Sequence, residues 1–108
     1  MRKEVLELKN IGRMPTETLE DTEDILSLIE KYDAVISNIE SPISFEEAKV
    51  IISIFPEGFF YDLHWDLVRL IESLLTQDEQ GYLEVINLCP SKEWKEVLNT
   101  RYLNWKKG

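Results

Sequence analysis

The sequence predicts an all-α protein: one domain over residues 1–108, a small bundle of about five or six helices with the rhythm of stacked, HEAT-like helical hairpins. Three observations predict it. The longest apolar-rich run, Phe59 to Leu75, repeats Phe60, Leu63, Leu67, Leu70, Ile71 and Leu74 at spacings of three and four, which is one face of a helix. Helix start signals recur: Ser44 with Glu47 three residues on, and Ser91 before Lys92. A hydroxyl there accepts from the backbone N–H groups that a helix start leaves unpaired. From Ser44 onward, short helical stretches alternate with tight turns marked by Pro and Gly, as in stacked hairpins.

Residues 2 to 10 form a short first helix that packs through Val5, Leu6 and Leu8 and needs the body of the protein to hold it. Ile11 to Pro15 reads as a loop. A second helix starts between Thr16 and Asp21, with Thr16, Thr18 or Asp21 as its cap. Glu17, Glu20, Asp21, Glu23 and Asp24 load its first turns, where the positive end of the helix dipole favours carboxylates. Its apolar stripe is Ile25, Leu28, Ile29 and Tyr32, continued by Val35, Ile36 and Ile39. One helix to Glu40 and two pieces bent near Asp33 both fit that stripe. Ser41-Pro42 ends it. The next helix covers Phe45 to Phe55 with Ala48, Ile51, Ile52 and Phe55 inward. The β-branched residues of Ile51 to Ile54 also suit a strand, but the cap before them and the Pro56-Glu57-Gly58 turn after them favour a helix.

Phe59 to Leu75 is then the central helix, its apolar face widened by His64, Val68 and Leu75, with Asp62, Asp66, Arg69 and Glu72 largely opposite. Gln77 to Gly81 closes it. A short helix, Gln80 to Leu88, offers Tyr82, Leu83, Val85, Ile86 and Leu88 for packing, and Cys89-Pro90 breaks it. Ser91 caps the last helix, Lys92 to Trp105, where Trp94, Val97, Leu98, Tyr102 and Trp105 recur at helical spacing. Lys106 and Lys107 suit its negative end.

The chain carries a formal net charge of −9. Phosphate binding needs Lys and Arg, so the charge argues against nucleic acid as a direct partner. Between Met14 and Asp66 there are thirteen carboxylates against two bases, Lys31 and Lys49; the remainder holds eight against ten. The acidity therefore belongs to the first half and middle of the chain. It serves solubility, or it forms a surface complementary to a basic protein. No stretch is long and apolar enough for a membrane span. The charged start, Met1 to Asn10, has no apolar signal core, and the one cysteine, Cys89, has no internal disulfide partner. Together these predict a cytoplasmic protein.

No catalytic motif stands out, and the expectation is a non-enzyme without metal or cofactor. His64 is the single histidine. Asp62 and Asp66 each lie two positions from it, and residues two apart on a helix do not face one another, so His64 reads as a half-buried residue bonded locally. Cys89 lacks the basic neighbours that activate a thiol. One Cys and one His make no zinc site, the run from Glu20 to Asp24 lacks calcium-loop spacing, and the four glycines do not cluster into a phosphate loop. Trp65 and Arg69, four apart, suit a cation–π stack. Tyr61, Asp62, Trp65 and Asp66 mix aromatic with acidic near a turn. That mixture suits a grip on a basic protein, because rings supply burial and carboxylates supply orientation; the plainer reading is aromatics facing a neighbouring helix.

The stretch Phe55-Pro-Glu-Gly-Phe-Phe-Tyr-Asp-Leu-His-Trp-Asp-Leu-Val-Arg-Leu-Ile-Glu-Ser73 resembles the core pattern of the immunity protein 30 family of bacterial polymorphic toxin systems. The shared features are an aromatic–x–leucine–x–tryptophan run and a leucine-rich helix ending in Ile-Glu-Ser. Trp94, Leu98-Asn99 and Arg101 to Asn104 are similar to that family's last helix, so the resemblance spans about half the chain, Ile51 to Asn104. It implies an all-α protein that binds and neutralises a cognate toxin domain, a nuclease with a basic cleft being one such partner. It supplies no binding residues. The candidate contacts come from the charge pattern: Glu17, Glu20, Asp21, Glu23 and Asp24 as one acidic face, with Tyr61, Asp62, Trp65 and Asp66 as a second patch. The competing class is a helical adaptor that binds another cellular protein through its hairpins. A small hydrolase using His64 is the third.

Overall fold

The computed structural model describes residues 1–16 and 22–108 in six helices. These are α1 (Lys3–Ile11), α2 (Glu23–Ser37), α3 (Phe45–Ser53), α4 (Leu63–Leu75), α5 (Glu79–Ile86) and α6 (Lys92–Lys107). Each odd-numbered helix pairs with the next, giving three hairpins. α1 packs on α3 and α3 on α5, while α2 packs on α4 and α4 on α6. The hairpins are therefore stacked in two layers, α1–α3–α5 and α2–α4–α6, as the rhythm of the sequence predicts. α4 touches α2, α3, α5 and α6, which places it at the centre.

The ends of the helices follow local chemistry. Ser44 and Glu47 form a complete capping box: the Ser44 hydroxyl accepts from the Glu47 N–H, and the Glu47 carboxylate accepts from the Ser44 N–H at 3.0 Å. Ser91 caps α6 through the Trp94 N–H and Asp78 caps α5 through the Gly81 N–H. Gly81 lies in the first turn of α5 because a Cβ there would collide with the capping carboxylate of Asp78 and press on Phe45. α3 is helical, so its start signal prevails over its β-branched content.

α2 is one continuous helix that ends at Ser37 rather than Glu40, and Thr22 is its cap, its hydroxyl accepting from the Ile25 N–H. The start expected between Thr16 and Asp21 falls mostly on residues 17–21, outside the described residues. Ile11 closes α1 rather than opening a loop, and the segment after it is pinned. The Met14 N–H donates to the Ile54 carbonyl at 2.9 Å, Arg13 Nε to the Phe55 carbonyl at 2.8 Å, and the Tyr32 hydroxyl to the Gly12 carbonyl at 2.6 Å. Burial of that phenol pushes its pKa up to about 12.

The core joins Val5, Leu8, Tyr32, Ile36, Ala48, Ile51, Ile52, Phe55 and Phe60 to the whole predicted face of α4, with Tyr82, Val85, Trp94 and Leu98 on the far side. Leu6, Leu88 and Trp105, expected to pack, are exposed instead. Leu6 follows Val5 around a short helix whose inner face takes only Val5 and Leu8, and Leu88 lies past the end of α5. Among the described residues no helix is long and apolar enough to cross a membrane.

Candidate functional site

The central helix begins later than its apolar spacing suggests. Phe59 to Asp62 precedes α4, and Tyr61 and Asp62 take left-handed backbone conformations, φ 48° and 65°. Two such residues in succession cost of order 1–3 kcal/mol each and persist where their surroundings hold them. Here the hold comes from below. The Phe60 N–H donates to His64 Nδ1 at 3.0 Å. Asp62 occupies the cap position but makes no side-chain cap bond. An imidazole thus serves the start of α4, and the Asp62 side chain stays at the exposed surface.

Trp94, at the start of α6, is the hub beneath this corner. It is buried, and its indole N–H donates to the Gly58 carbonyl at 2.9 Å. Its ring meets His64 at 4.8 Å, Trp65 at 5.2 Å and Phe59 at 5.9 Å between centroids, with Phe55 at 6.2 Å. Phe59 and Trp65 lean on it while remaining 52% and 43% exposed. An exposed tryptophan held edge-on by a buried one has lost its freedom before any partner arrives, which is how interface anchors gain affinity. Arg101 completes the setting: its guanidinium carbon lies 5.7 Å from the Trp65 ring centroid and its Nη1 donates to Glu72 at 2.6 Å. The cation beside Trp65 is therefore Arg101, not Arg69, because α6 crosses α4 at this level. Arg69 instead lies 3.7 Å from Asp66, a loose and exposed pair worth little.

Of the candidate contacts, Tyr61, Asp62, Trp65 and Asp66 gather at this corner. Tyr61 is half-buried, edge-on to Phe60 at 5.2 Å. Glu23 and Asp24 are exposed in the first turn of α2. α2 reaches the corner through Tyr32, whose ring meets Phe60 at 5.9 Å, roughly 13 Å along the helix from Glu23 at 1.5 Å per residue. No described contact joins Glu23 or Asp24 to the corner. Glu17, Glu20 and Asp21 lie outside the described residues; Thr16, just before them, lies beside Gly58, within 3.6 Å of where a Cβ there would stand.

His64 is fully buried rather than half-buried, its ring enclosed by Phe59, Trp65 and Trp94. Burial raises the Cys89 thiol pKa, outweighing the hydrogen bond from the Ser91 backbone that lowers it. A raised pKa disfavours the thiolate that a reactive cysteine needs. Among the described residues no three His, Cys, Asp or Glu side chains converge as metal ligands would.

Sequence reasoning missed Phe59 as a surface aromatic and Arg101 as the neighbour of Trp65. The sequence places the first inside a helix that starts only at Leu63, four residues later. The second pair is 36 residues apart, beyond any local spacing rule. Comparison with protein-family models, with curated proteins and with solved structures finds no match.

Proposed function

We propose that this protein is a stoichiometric binding protein, an immunity protein that neutralises a bacterial toxin domain inside the producing cell. The observation that carries the reading is the corner at the start of α4. Phe59 and Trp65 are exposed yet held by Trp94, with the exposed carboxylate of Asp62 and that of Asp66 beside them. Rigid aromatic area bordered by carboxylates suits a basic protein surface, and the net charge of −9 draws such a surface in. The likeness of residues 55–73 to an immunity family supports the same reading. A nuclease with a basic cleft is the toxin class that this charge fits best.

The test is a toxicity rescue. The C-terminal domain encoded by the gene immediately upstream is induced in a susceptible bacterium with and without this protein. The expected outcome is growth only when both are expressed, with a one-to-one complex on co-purification. Toxicity that persists in the presence of this protein would defeat the proposal and favour an adaptor role, for which a pull-down is the next experiment.

A further inference from the structure

Next to the corner, an open groove of about 900 Å³ runs along α6, bordered on α4 by Glu72, and a smaller opening of about 480 Å³ continues it between α4 and α6 to Trp65. α6 lines it with Glu93, Val97 and Thr100, at helical spacing along one stripe. α4 lines it with Trp65, Val68, Arg69 and Glu72, likewise one stripe. Trp105, 42% exposed, closes the far end. A seam between two neighbouring helices is where a third helix packs. From Glu93 to Trp105 the wall is roughly 18 Å long, about three turns of a helix laid along it.

The charges select the occupant. Arg101 faces Glu72 and Arg69 faces Asp66. Glu93 and Glu96 also line the walls and pair with no base among the described residues. The groove already holds the guanidinium of Arg101 between a carboxylate and the Trp65 ring, and that of Arg69 beside Asp66. The same chemistry recurs along the groove, where the carboxylates of Glu93 and Glu96 and the ring of Trp105 stand ready for cations from outside. The geometry points to this groove as the seat of a helix bearing Lys and Arg, contributed by the partner. The inference rests on the binding role proposed above and adds to it the partner's docking segment.

The experiment uses the full chain labelled with nitrogen-15, whose three indole N–H signals report Trp65 and Trp105 in the groove and Trp94 buried beneath the corner. The probe is a synthetic amphipathic helix of roughly 14 residues with arginines along one face, and its control carries glutamates in their place. The arginine peptide is expected to shift the Trp65 and Trp105 signals far more than that of buried Trp94, while the glutamate peptide shifts none. The Glu93→Lys/Glu96→Lys double variant is expected to weaken binding about tenfold or more with an unchanged unfolding midpoint, since both side chains are exposed. Absence of the Trp65 and Trp105 shifts, or equal binding by the double variant, would overturn the inference. The rescue assay separates the two readings. Rescue by the wild type and not by the double variant supports both. Equal rescue by the two removes the groove from the toxin contact and leaves the immunity role standing. Failure of the wild type to rescue removes the immunity role, and the peptide shifts then decide the groove alone.

Discussion

Two arginine–glutamate pairs have the same separation and do different work. Arg2 Nε lies 2.6 Å from Glu47 in the seam between α1 and α3, and Arg101 Nη1 lies 2.6 Å from Glu72 on the α4–α6 face. Glu47 is 5% exposed. Burial on its own would raise its pKa, but the Ser44 N–H together with the hydrogen bond and charge of Arg2 hold it below the usual carboxylate range. Arg2 also donates to the Glu40 carbonyl at 2.7 Å, so the pair ties the first helix to the turn that ends the second. Glu72 and Arg101 are more open to solvent, where screening reduces an equal distance to a small energy. The inward pair fixes the stack, and the outward pair sets the posture of a tryptophan. Burial, not distance, separates the two.

Trp94 should give the largest effect, because it belongs to the inward class although it lies under the outward corner. Trp94→Ala removes a buried ring, its contacts with four other rings and its bond to Gly58. It should cost about 3–5 kcal/mol in urea unfolding. Trp65→Ala should cost only about 1–2 kcal/mol yet weaken partner binding tenfold or more. Similar stability losses for the two would break the division between a supporting and a contacting tryptophan.

Glu47→Ala comes next, at about 2–3 kcal/mol, since it leaves the Ser44 N–H and Arg2 Nε without their acceptor. Its pH dependence has a definite sign. A depressed pKa in the folded state means that the carboxylate stabilises the fold above its unfolded value, near 4.5. That contribution is lost as pH falls through the lower folded value. The gap between wild type and Glu47→Ala should therefore be full at neutral pH and narrow below about pH 4.5, as read from urea midpoints across that range. Glu72→Ala should cost about 0.5 kcal/mol or less at neutral pH. Equal losses for the two glutamates would erase the comparison.

The capping box shows what the sequence carries openly. Ser44 and Glu47 are three residues apart, and their bonds form within one turn, so local spacing reveals them; the face of α4 is legible for the same reason. The second role of Glu47 is not, because its partner is Arg2, 45 residues away. The start of α4 misleads for a different reason. Phe60 lies three residues before Leu63 and keeps the helical rhythm, yet it is buried from a non-helical segment that His64 holds through the Phe60 N–H. Periodicity reports which residues are inward and not which backbone places them there.

Glu23 and Asp24, the described part of the expected acidic face, are exposed and belong with the outward class. Charge reversal at Glu20, Asp21 and Asp24 should slow association with a basic partner roughly tenfold at low salt and flatten its salt dependence. Stability should shift by only a few tenths of a kcal/mol, through Asp24 in the first turn of α2. An unchanged association rate would confine recognition to the corner and its groove.

Arg101→Lys should have the smallest effect on stability and bears most directly on the comparison. Lysine keeps the positive charge and reaches Glu72 as a point charge, but it has no plane to lie against an indole. Arg101 and Glu72 side chains are 43% and 33% exposed, so unfolding should change by less than about 0.5 kcal/mol. The effect should appear in the Trp65 ring, which keeps its contact with Trp94 and loses the flat guanidinium. Nitrogen-15 relaxation of the Trp65 indole should then report faster, wider motion, while the Trp94 indole stays as rigid as before. A fall in stability matching that of Glu47→Ala would mean that the exposed pair helps hold the fold, and the contrast between the two pairs would fail. A more mobile Trp65 on an equally stable protein would show that Arg101 acts on the posture of the surface and not on the fold beneath it.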